Sequence, residues 1–337
     1  MKIGTIDTQK KVFIVAEIGN NHEGNFENAQ ALVRRAAECG VDAVKFQTFK
    51  AESLVSPFEQ TRFRQLKSFE LTYPQFEELS KLTRSLGLHF LSTPFDLESA
   101  DFLKGIVDAF KIASGDNNFF PLIERVAKSG KPLLISAGLS EFDEMVLTVK
   151  FVKKQWRRFH LNSELGILHC VSSYPLQPEE ANLRAISFLG QHLKGITIGY
   201  SDHTVEIEAC VLAVAIGARV IEKHFTLDKN FSAFRDHRLS ADPAQMKEMV
   251  NRVRQAEKML GHDEKAVQPC ERSLVQVLRR SISAARDLPV GHQIKTTDLT
   301  WIRPGVGLPS GQESLLIGKV LRRNVRLGEP LRSTDVD

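Results

Sequence analysis

The stretch IGYSDHT, residues 198–204, closes an apolar run on Ser201, Asp202, His203 and Thr204 before an amphipathic segment begins. VIEKHFT, residues 220–226, repeats the pattern: a second apolar run ends on His224. Short apolar runs that end in polar side chains, with a helix-like return between them, are the signature of a parallel sheet. The same punctuation precedes these two runs in VFIVAEI, DAVKFQ, HFLSTP, AFKIASG, PLLISAG and LGILHC, which makes eight strand candidates. Helix signals lie between them. NFENAQALVRRAAECG has Asn25 as N-cap, apolar residues at Phe26, Ala29, Val33 and Ala36, and Gly40 at its end. YPQFEELSKLTRSLG, closed by Gly87, and DPAQMKEMVNRVRQAEKMLG read the same way. Eight strand–helix units over about 260 residues fit a closed (β/α)8 TIM barrel in the α/β class. The rival, an open doubly wound sheet, favours a glycine-rich first turn, and EIGNNHEGN lacks that fingerprint.

Composition narrows the class. A chain of 337 residues with 42% hydrophobic content has ample core. A mean hydropathy of −0.18 and no apolar run of spanning length exclude a membrane helix. The first twenty residues carry no signal-peptide pattern, and four scattered cysteines (39, 170, 210 and 270) suggest no disulfide framework. The expected location is the cytoplasm. A net charge of +4 without a basic block gives no indication of nucleic-acid binding.

The barrel is expected over residues 1–262. Residues 263–280 are polar and basic and read as a linker. From 281 to 337 the apolar runs are very short and broken by glycine and proline, which predicts a small β or irregular domain with no helix of ordinary length.

Polar side chains recur at or just past the C-terminal end of every strand candidate: Glu17, Lys45 and Gln47, Thr93, Lys111 and Ser114, Ser136, His169, Ser201 and His203, and His224. Any one of them is an ordinary loop residue. All eight ends together form one mouth, where barrel enzymes place their chemistry. Lys45 and Lys111 with the hydroxyls of Ser114, Ser136 and Ser201 suit a compact dianion such as phosphate. Glu17 and Asp116 can handle protons or water. His203 and His224, on neighbouring strands, can share one divalent ion.

FIVAEIGNNHEGN, DAVKFQTFKAESLV, FLSTPFD, FKIASGD, KPLLISAG, LHCVSSYP, IGYSDHT and GARVIEKHFTLD together resemble the sialic acid (nonulosonic acid) synthase family. SISAARDLPVGHQI followed by LTWIRPGVG is similar to that family's antifreeze-like domain. The resemblance implies condensation of phosphoenolpyruvate with an N-acyl hexosamine such as N-acetylmannosamine, giving a nine-carbon 2-keto acid and phosphate. It further implies a domain-swapped homodimer and a divalent ion, Mn2+ with Mg2+ or Co2+ as alternatives. Lys45, Thr93, Lys111, Ser114, Ser136 and Ser201 would hold phosphoenolpyruvate, and His203 and His224 the metal. Glu17 and Asp116 would orient or deprotonate water. Gln47, Tyr174 and Asp236 would meet the sugar, with Arg303 reaching its N-acyl group from the partner chain.

Three departures accompany the resemblance. Asp116 stands where the family commonly has Glu, the loop SPFEQTRFRQLKSFELTYP lacks a frequent Asn, and NFSAFRDHRLSAD replaces a Gly-Pro-Asp-His version while keeping Asp236 and His237. A phosphoenolpyruvate-aldose synthase making a shorter keto acid shares the anion site but not the C-terminal domain. A non-catalytic sugar-binding protein leaves the strand-end residues without a use. A metal-dependent hydrolase does not account for the lysine and serine anion donors.

Overall fold

The computed structural model describes all residues from Met1 to Asp337, which form two compact units, Met1–Gly261 and His262–Asp337. In the first unit a small antiparallel hairpin, β1 (Lys2–Ile3) and β2 (Ile6–Asp7), precedes eight parallel strands. These are β3 (Phe13–Gly19), β4 (Ala43–Thr48), β5 (His89–Pro94), β6 (Ala109–Ile112), β7 (Leu133–Ser136), β8 (Leu165–Cys170), β9 (Thr197–Asp202) and β10 (Val220–His224). They close into a barrel in sequence order, with β10 pairing to both β9 and β3. The eight strand candidates of the sequence are the eight barrel strands.

Period-two alternation divides every strand between two cores. Phe13, Val15, Ala43, Leu91, Ala109, Leu134, Leu168 and Val220 fill the barrel interior together with Met1 and Ile3. Their neighbours, among them Ile14, Ala16, Val44, Phe46, Phe90 and Ile135, pack outward against the surrounding helices. Those helices begin where the sequence provides caps. Asn25 accepts from the Asn28 amide at the start of Phe26–Glu38, Thr72 and Gln75 form a capping box before Tyr73–Ser85, and Asp242 caps Pro243–Leu260. The segment read as a loop between β4 and Tyr73 contains a helix, Gln60–Phe69, which starts without a side-chain cap and therefore left little local signal.

The most deeply buried ion pair lies on the outer face of β9 and β10. Lys223 and Asp202 are both fully buried, with Nζ donating to Asp202 Oδ2 at 2.7 Å and to the carbonyls of Thr204 and Glu206. Asp202 also accepts from the Tyr200 hydroxyl and the Thr204 amide, both at 2.9 Å. This network fixes the chain on either side of His203 to the strand that carries His224. No helix in the chain is long and apolar enough to cross a membrane.

The second unit has a two-stranded antiparallel sheet, β11 (Ser281–Ala284) and β12 (Leu299–Ile302), and a core of Ile282, Leu288, Ile294, Leu299, Leu316, Leu321, Val325 and Leu331. Buried Asp298 ties its turns together. It accepts from the Arg286 guanidinium, the His292 ring and the Lys295 amide, and despite burial these donors hold its carboxyl down at about 2. Arg272–Leu278, within the stretch read as linker, is a short helix.

Lys223→Met strands the Asp202 carboxylate in the outer core, and loss of one partner of a buried pair costs about 3–5 kcal/mol. The expected result is an unfolding free energy lowered by that amount, read as a lower denaturant midpoint at unchanged slope; an unchanged midpoint would remove the pair from the account of barrel stability.

Candidate active site

The upper layer of the barrel interior is polar, and its side chains follow from strand parity. Two residues beyond the apolar layer, the inward positions are Glu17, Lys45, Thr93, Lys111, Ser136, Cys170, Ser201 and Glu222, and all are buried. Lys45 Nζ lies 2.8 Å from Glu17 Oε2 and 3.7 Å from Glu222 Oε2, and donates to Thr93 Oγ1 at 3.0 Å. Lys111 Nζ donates to Ser136 Oγ at 2.6 Å and lies 3.7 Å from Glu222 Oε1. Ser201 Oγ donates to the same Glu222 oxygen at 2.9 Å. Gln47 donates to Glu17 at 3.1 Å and accepts from Asn20 at 3.0 Å.

Two ammonium groups and two carboxylates thus share one buried volume. Burial works against the charge on Lys45, yet Glu17 and Glu222 outweigh it and raise its pKa. Burial likewise opposes ionisation of Glu222, and Lys111 and Lys45 overcome it, so its carboxyl is lowered. Lys111 is lowered, because burial exceeds the help it receives from Glu222. Glu17 is raised, because burial, with Glu222 adding to it, exceeds the help it receives from Lys45. Compensation therefore outweighs burial for Lys45 and Glu222 and offsets it only in part for Lys111 and Glu17.

At the rim, His203 and His224 bring their rings to 5.4 Å between centroids. The Nδ1–H of His203 donates to the Val171 carbonyl at 2.7 Å, which leaves Nε2 as the free nitrogen. His224 Nδ1 is buried without a hydrogen-bond partner, and burial, with the charges of His203 and Lys45 adding to it, pushes its pKa well below the usual value. Two imidazoles, each with an unclaimed nitrogen, are a chemically suitable pair of ligands for one ion. Tyr174 lies over His203 at 4.2 Å, and the Arg235 guanidinium lies over Tyr174 at 4.5 Å.

Above this layer opens a cavity of about 760 Å³ lined by Asn20, Gln47, Ser114, Ser172, Tyr174, His224, Arg235 and Asp236, with an apolar wall from Leu54, Leu66, Phe69, Phe95 and Phe234. Gly138 makes room at its edge: a Cβ there would lie 2.6 Å from the hydroxyls of both Ser114 and Ser172. Asp236 is buried, and the only charged partner of its Oδ1 is the Arg235 Nε at 3.3 Å.

The structure gathers Glu17, Lys45, Thr93, Lys111, Ser136 and Ser201 into one cluster joined by ion pairs and hydrogen bonds through Glu222, with Gln47 on its border. Ser114, Tyr174, His224 and Asp236 line the cavity above it, with His203 under Tyr174. Asp116 sits in the short turn Ser114–Asp116 beyond β6 and stays outside the lysine–glutamate cluster. Burial raises its carboxyl to about 6. Arg303 belongs to the second unit, where it is exposed and its Nε donates to the Leu278 carbonyl at 2.7 Å.

One strand-end residue is corrected. His169 faces away from the mouth: its Nε2 is 2.9 Å from the Ala181 carbonyl and its ring stacks on outward-facing Tyr200. Cys170, one residue on, is the inward residue of β8, with its sulfur 3.8 Å from His203 Nδ1. Sequence reading also passed over Glu222, Asn20, Ser172 and Arg235. Glu222 had a usable signal, since it lies two residues before His224 on the same strand and therefore on the same face.

The NeuB family model matches residues 32–265, and the SAF domain model matches residues 279–337. Over 333 residues the chain is 40% identical to the N,N'-diacetyllegionaminic acid synthase of Legionella pneumophila, covering 95% of this chain and 93% of that protein. It is 36% identical over 344 residues to the N-acetylneuraminate-9-phosphate synthase of Homo sapiens, covering 98% and 94%. The crystal structure of N-acetylneuraminic acid (sialic acid) synthetase from Leptospira borgpetersenii in complex with citrate superposes with a TM-score of 0.76 at 34% identity, over 82% of this chain and 94% of that one. With a family model spanning most of the barrel and named relatives aligned along nearly the full length, the chain belongs to the NeuB family and carries a SAF domain at its C-terminal end.

Proposed function

We propose that the protein is a nonulosonic acid synthase, a transferase that condenses phosphoenolpyruvate with an N-acyl hexosamine to give a nine-carbon 2-keto acid and phosphate. The observation that carries this reading is the buried pair of ammonium groups, flanked by hydroxyls and lying beneath two unclaimed imidazoles, in a chain similar along its length to synthases of that class.

Lys45 and Lys111 bind the phosphate and carboxylate of phosphoenolpyruvate, and Thr93, Ser114, Ser136 and Ser201 donate to their oxygens. Gln47, Tyr174 and Asp236 orient the hexosamine so that its aldehyde carbon meets the enol carbon. A carbon–carbon bond forms there, and the aldehyde oxygen takes up a proton. Water then adds to the former enol carbon, the carbon–oxygen bond to phosphate breaks, and the keto group remains. Glu17, held 2.8 Å from Lys45, orients that water, and Asp116 accepts a proton. His203 and His224 would hold a divalent ion, Mn2+ or alternatively Mg2+ or Co2+; such an ion supplies Lewis acidity toward the aldehyde oxygen. Four unpaired cysteines and a phosphorylated glycolytic-type substrate fit a cytoplasmic location.

We further propose a domain-swapped homodimer in which Arg303 of one chain meets the N-acyl group in the partner's barrel. In support, Arg303 is exposed and only its Nε is engaged, which leaves the rest of the guanidinium fork for a carbonyl.

The direct test is phosphate release from phosphoenolpyruvate across a panel of N-acyl hexosamines, with and without chelator. Release with at least one acceptor, abolished by chelator, is expected. His203→Ala and His224→Ala should each lose more than the roughly 100-fold that removal of a metal's outer-shell partner costs, with an unchanged circular dichroism spectrum. Release at the wild-type rate in either variant would sink the metal pair.

Asp116 supplies a pH signature. Its raised pKa means that the carboxylate is lost as pH falls through about 6, so turnover should fall on that acidic limb. The stability contribution runs the other way: the native chain binds this proton more tightly than the unfolded chain, so the group adds stability as pH drops from about 6 toward 4. Asp116→Asn should remove both trends, and an unaltered acidic limb in that variant would take Asp116 out of the proton step.

For the swapped arrangement, His203→Ala and Arg303→Ala chains are mixed under conditions that exchange subunits. Recovered turnover is expected, from sites pairing the barrel of the Arg303→Ala chain with the arginine of the other. No recovery despite proven exchange would count against it.

A further inference from the structure

The loop after β3 reads NNHEGN, residues 20–25, and it is tied side chain by side chain to a segment more than two hundred residues away. Glu23 Oε1 accepts from the Ser232 hydroxyl and, at 3.1 Å, from His237 Nε2. His237 is buried, and its Nδ1 lies 2.7 Å from Thr226 Oγ1. Asn21 Nδ2 donates to the Phe225 carbonyl at 2.8 Å and to Ser240 Oγ at 2.9 Å. These contacts bracket Arg235 and Asp236, which line the cavity.

The backbone of the loop is committed to this geometry. Glu23 has φ of 47°, in the left-handed region that disfavours a residue with a Cβ, and its side chain is only 24% exposed. Gly24 follows at φ of 77°, where a Cβ would lie 2.0 Å from the Ser68 carbonyl oxygen. The residue after Ser68, Phe69, packs edge-on against Phe234 at 5.1 Å. Three separate stretches of chain therefore converge behind Arg235 and Asp236, and Glu23 is the only side chain among them that joins Ser232 to His237 through one atom. A residue kept in a disfavoured conformation to make two buried-side hydrogen bonds is a residue with a positioning task.

We propose that Glu23 and His237 form a latch that holds the Arg235–Asp236 segment against the acceptor side of the cavity, which makes Glu23 a positioning residue for the acceptor sugar. The proposal rests on the reading that Asp236 faces that sugar. Glu23 touches neither the lysine–glutamate cluster nor the two imidazoles, so releasing the latch affects the acceptor and spares phosphoenolpyruvate.

Three variants separate this role from bulk stability. Glu23→Gln keeps an acceptor oxygen for Ser232 and His237. Glu23→Ala removes it, and Glu23→Gly removes it while relieving the left-handed backbone. Amide hydrogen exchange over residues 231–240 should rise at least about tenfold in the Ala and Gly variants, which lose both hydrogen bonds, and clearly less in Gln, which keeps a neutral acceptor oxygen. The KM for the acceptor should rise by a similar factor, about tenfold, while the KM for phosphoenolpyruvate stays within about twofold. The thermal midpoint of Glu23→Gly should not fall below that of Glu23→Ala. Unchanged exchange in Glu23→Ala overturns the latch, whatever the activity. Raised exchange with an unchanged acceptor KM, or with both KM values raised alike, overturns the positioning role. A wild type that releases no phosphate with any acceptor overturns the function proposed above, and the exchange data then decide by themselves whether the latch exists.

Discussion

Everything at the mouth of this barrel depends on the closure of β10 between β9 and β3. That strand brings Glu222 into line with Ser201 on one side and His224 into line with Glu17 on the other. A one-residue slip in either pairing would turn Glu222 and His224 out toward the helices and bring Lys223 into the interior. The alternation also explains why Lys223, between two site residues, belongs to a different structure. It faces outward, is paired with Asp202 and holds the loop that carries His203.

Compensation of charge is the second condition. Glu222 lies 3.7 Å from both lysine nitrogens, and Glu17 lies closer to one of them. An ammonium ion buried alone would lose its proton, and a carboxylate buried alone would gain one. The quartet keeps the lysines available for an incoming anion without leaving either uncompensated beforehand. Under the proposed function, an arriving anion would compete with carboxylates already in place, so the lysines would release phosphate as well as bind it.

The barrel was legible because each of its strands is apolar, short and bounded by helix caps or glycine, and those signals are local. The make-up of the mouth was legible for a related reason: strand ends converge, so listing their polar residues lists the mouth. Two kinds of information were harder to extract. Parity decided between His169 and Cys170, and between stopping at His224 and including Glu222, and choosing the chemically more suggestive residue overrode parity in the first case. Long-range pairing left no local trace at all. The Glu23–His237 contact spans 214 positions, and neither NNHEGN nor AFRDHRL announces the other. The helix Gln60–Phe69 was missed because it starts without a cap and buries only Phe69.

The polar residues fall into two mechanical classes. Lys45, Thr93, Lys111, Ser136, Ser201, Glu222 and His224 project from strands, whose spacing is fixed by the barrel's own hydrogen bonds. Asn20, Ser172, Tyr174, Arg235 and Asp236, with the apolar wall from Leu54, Leu66 and Phe234, stand on connecting segments or short helices. A lineage can therefore exchange or lengthen the second class without disturbing the first. Under the proposed assignment, the half of the reaction common to all members is inherited as rigid scaffold. The half that distinguishes one sugar from another is carried by parts that tolerate insertion, which gives a physical route for one barrel to diversify its acceptors while its phosphate chemistry stays still.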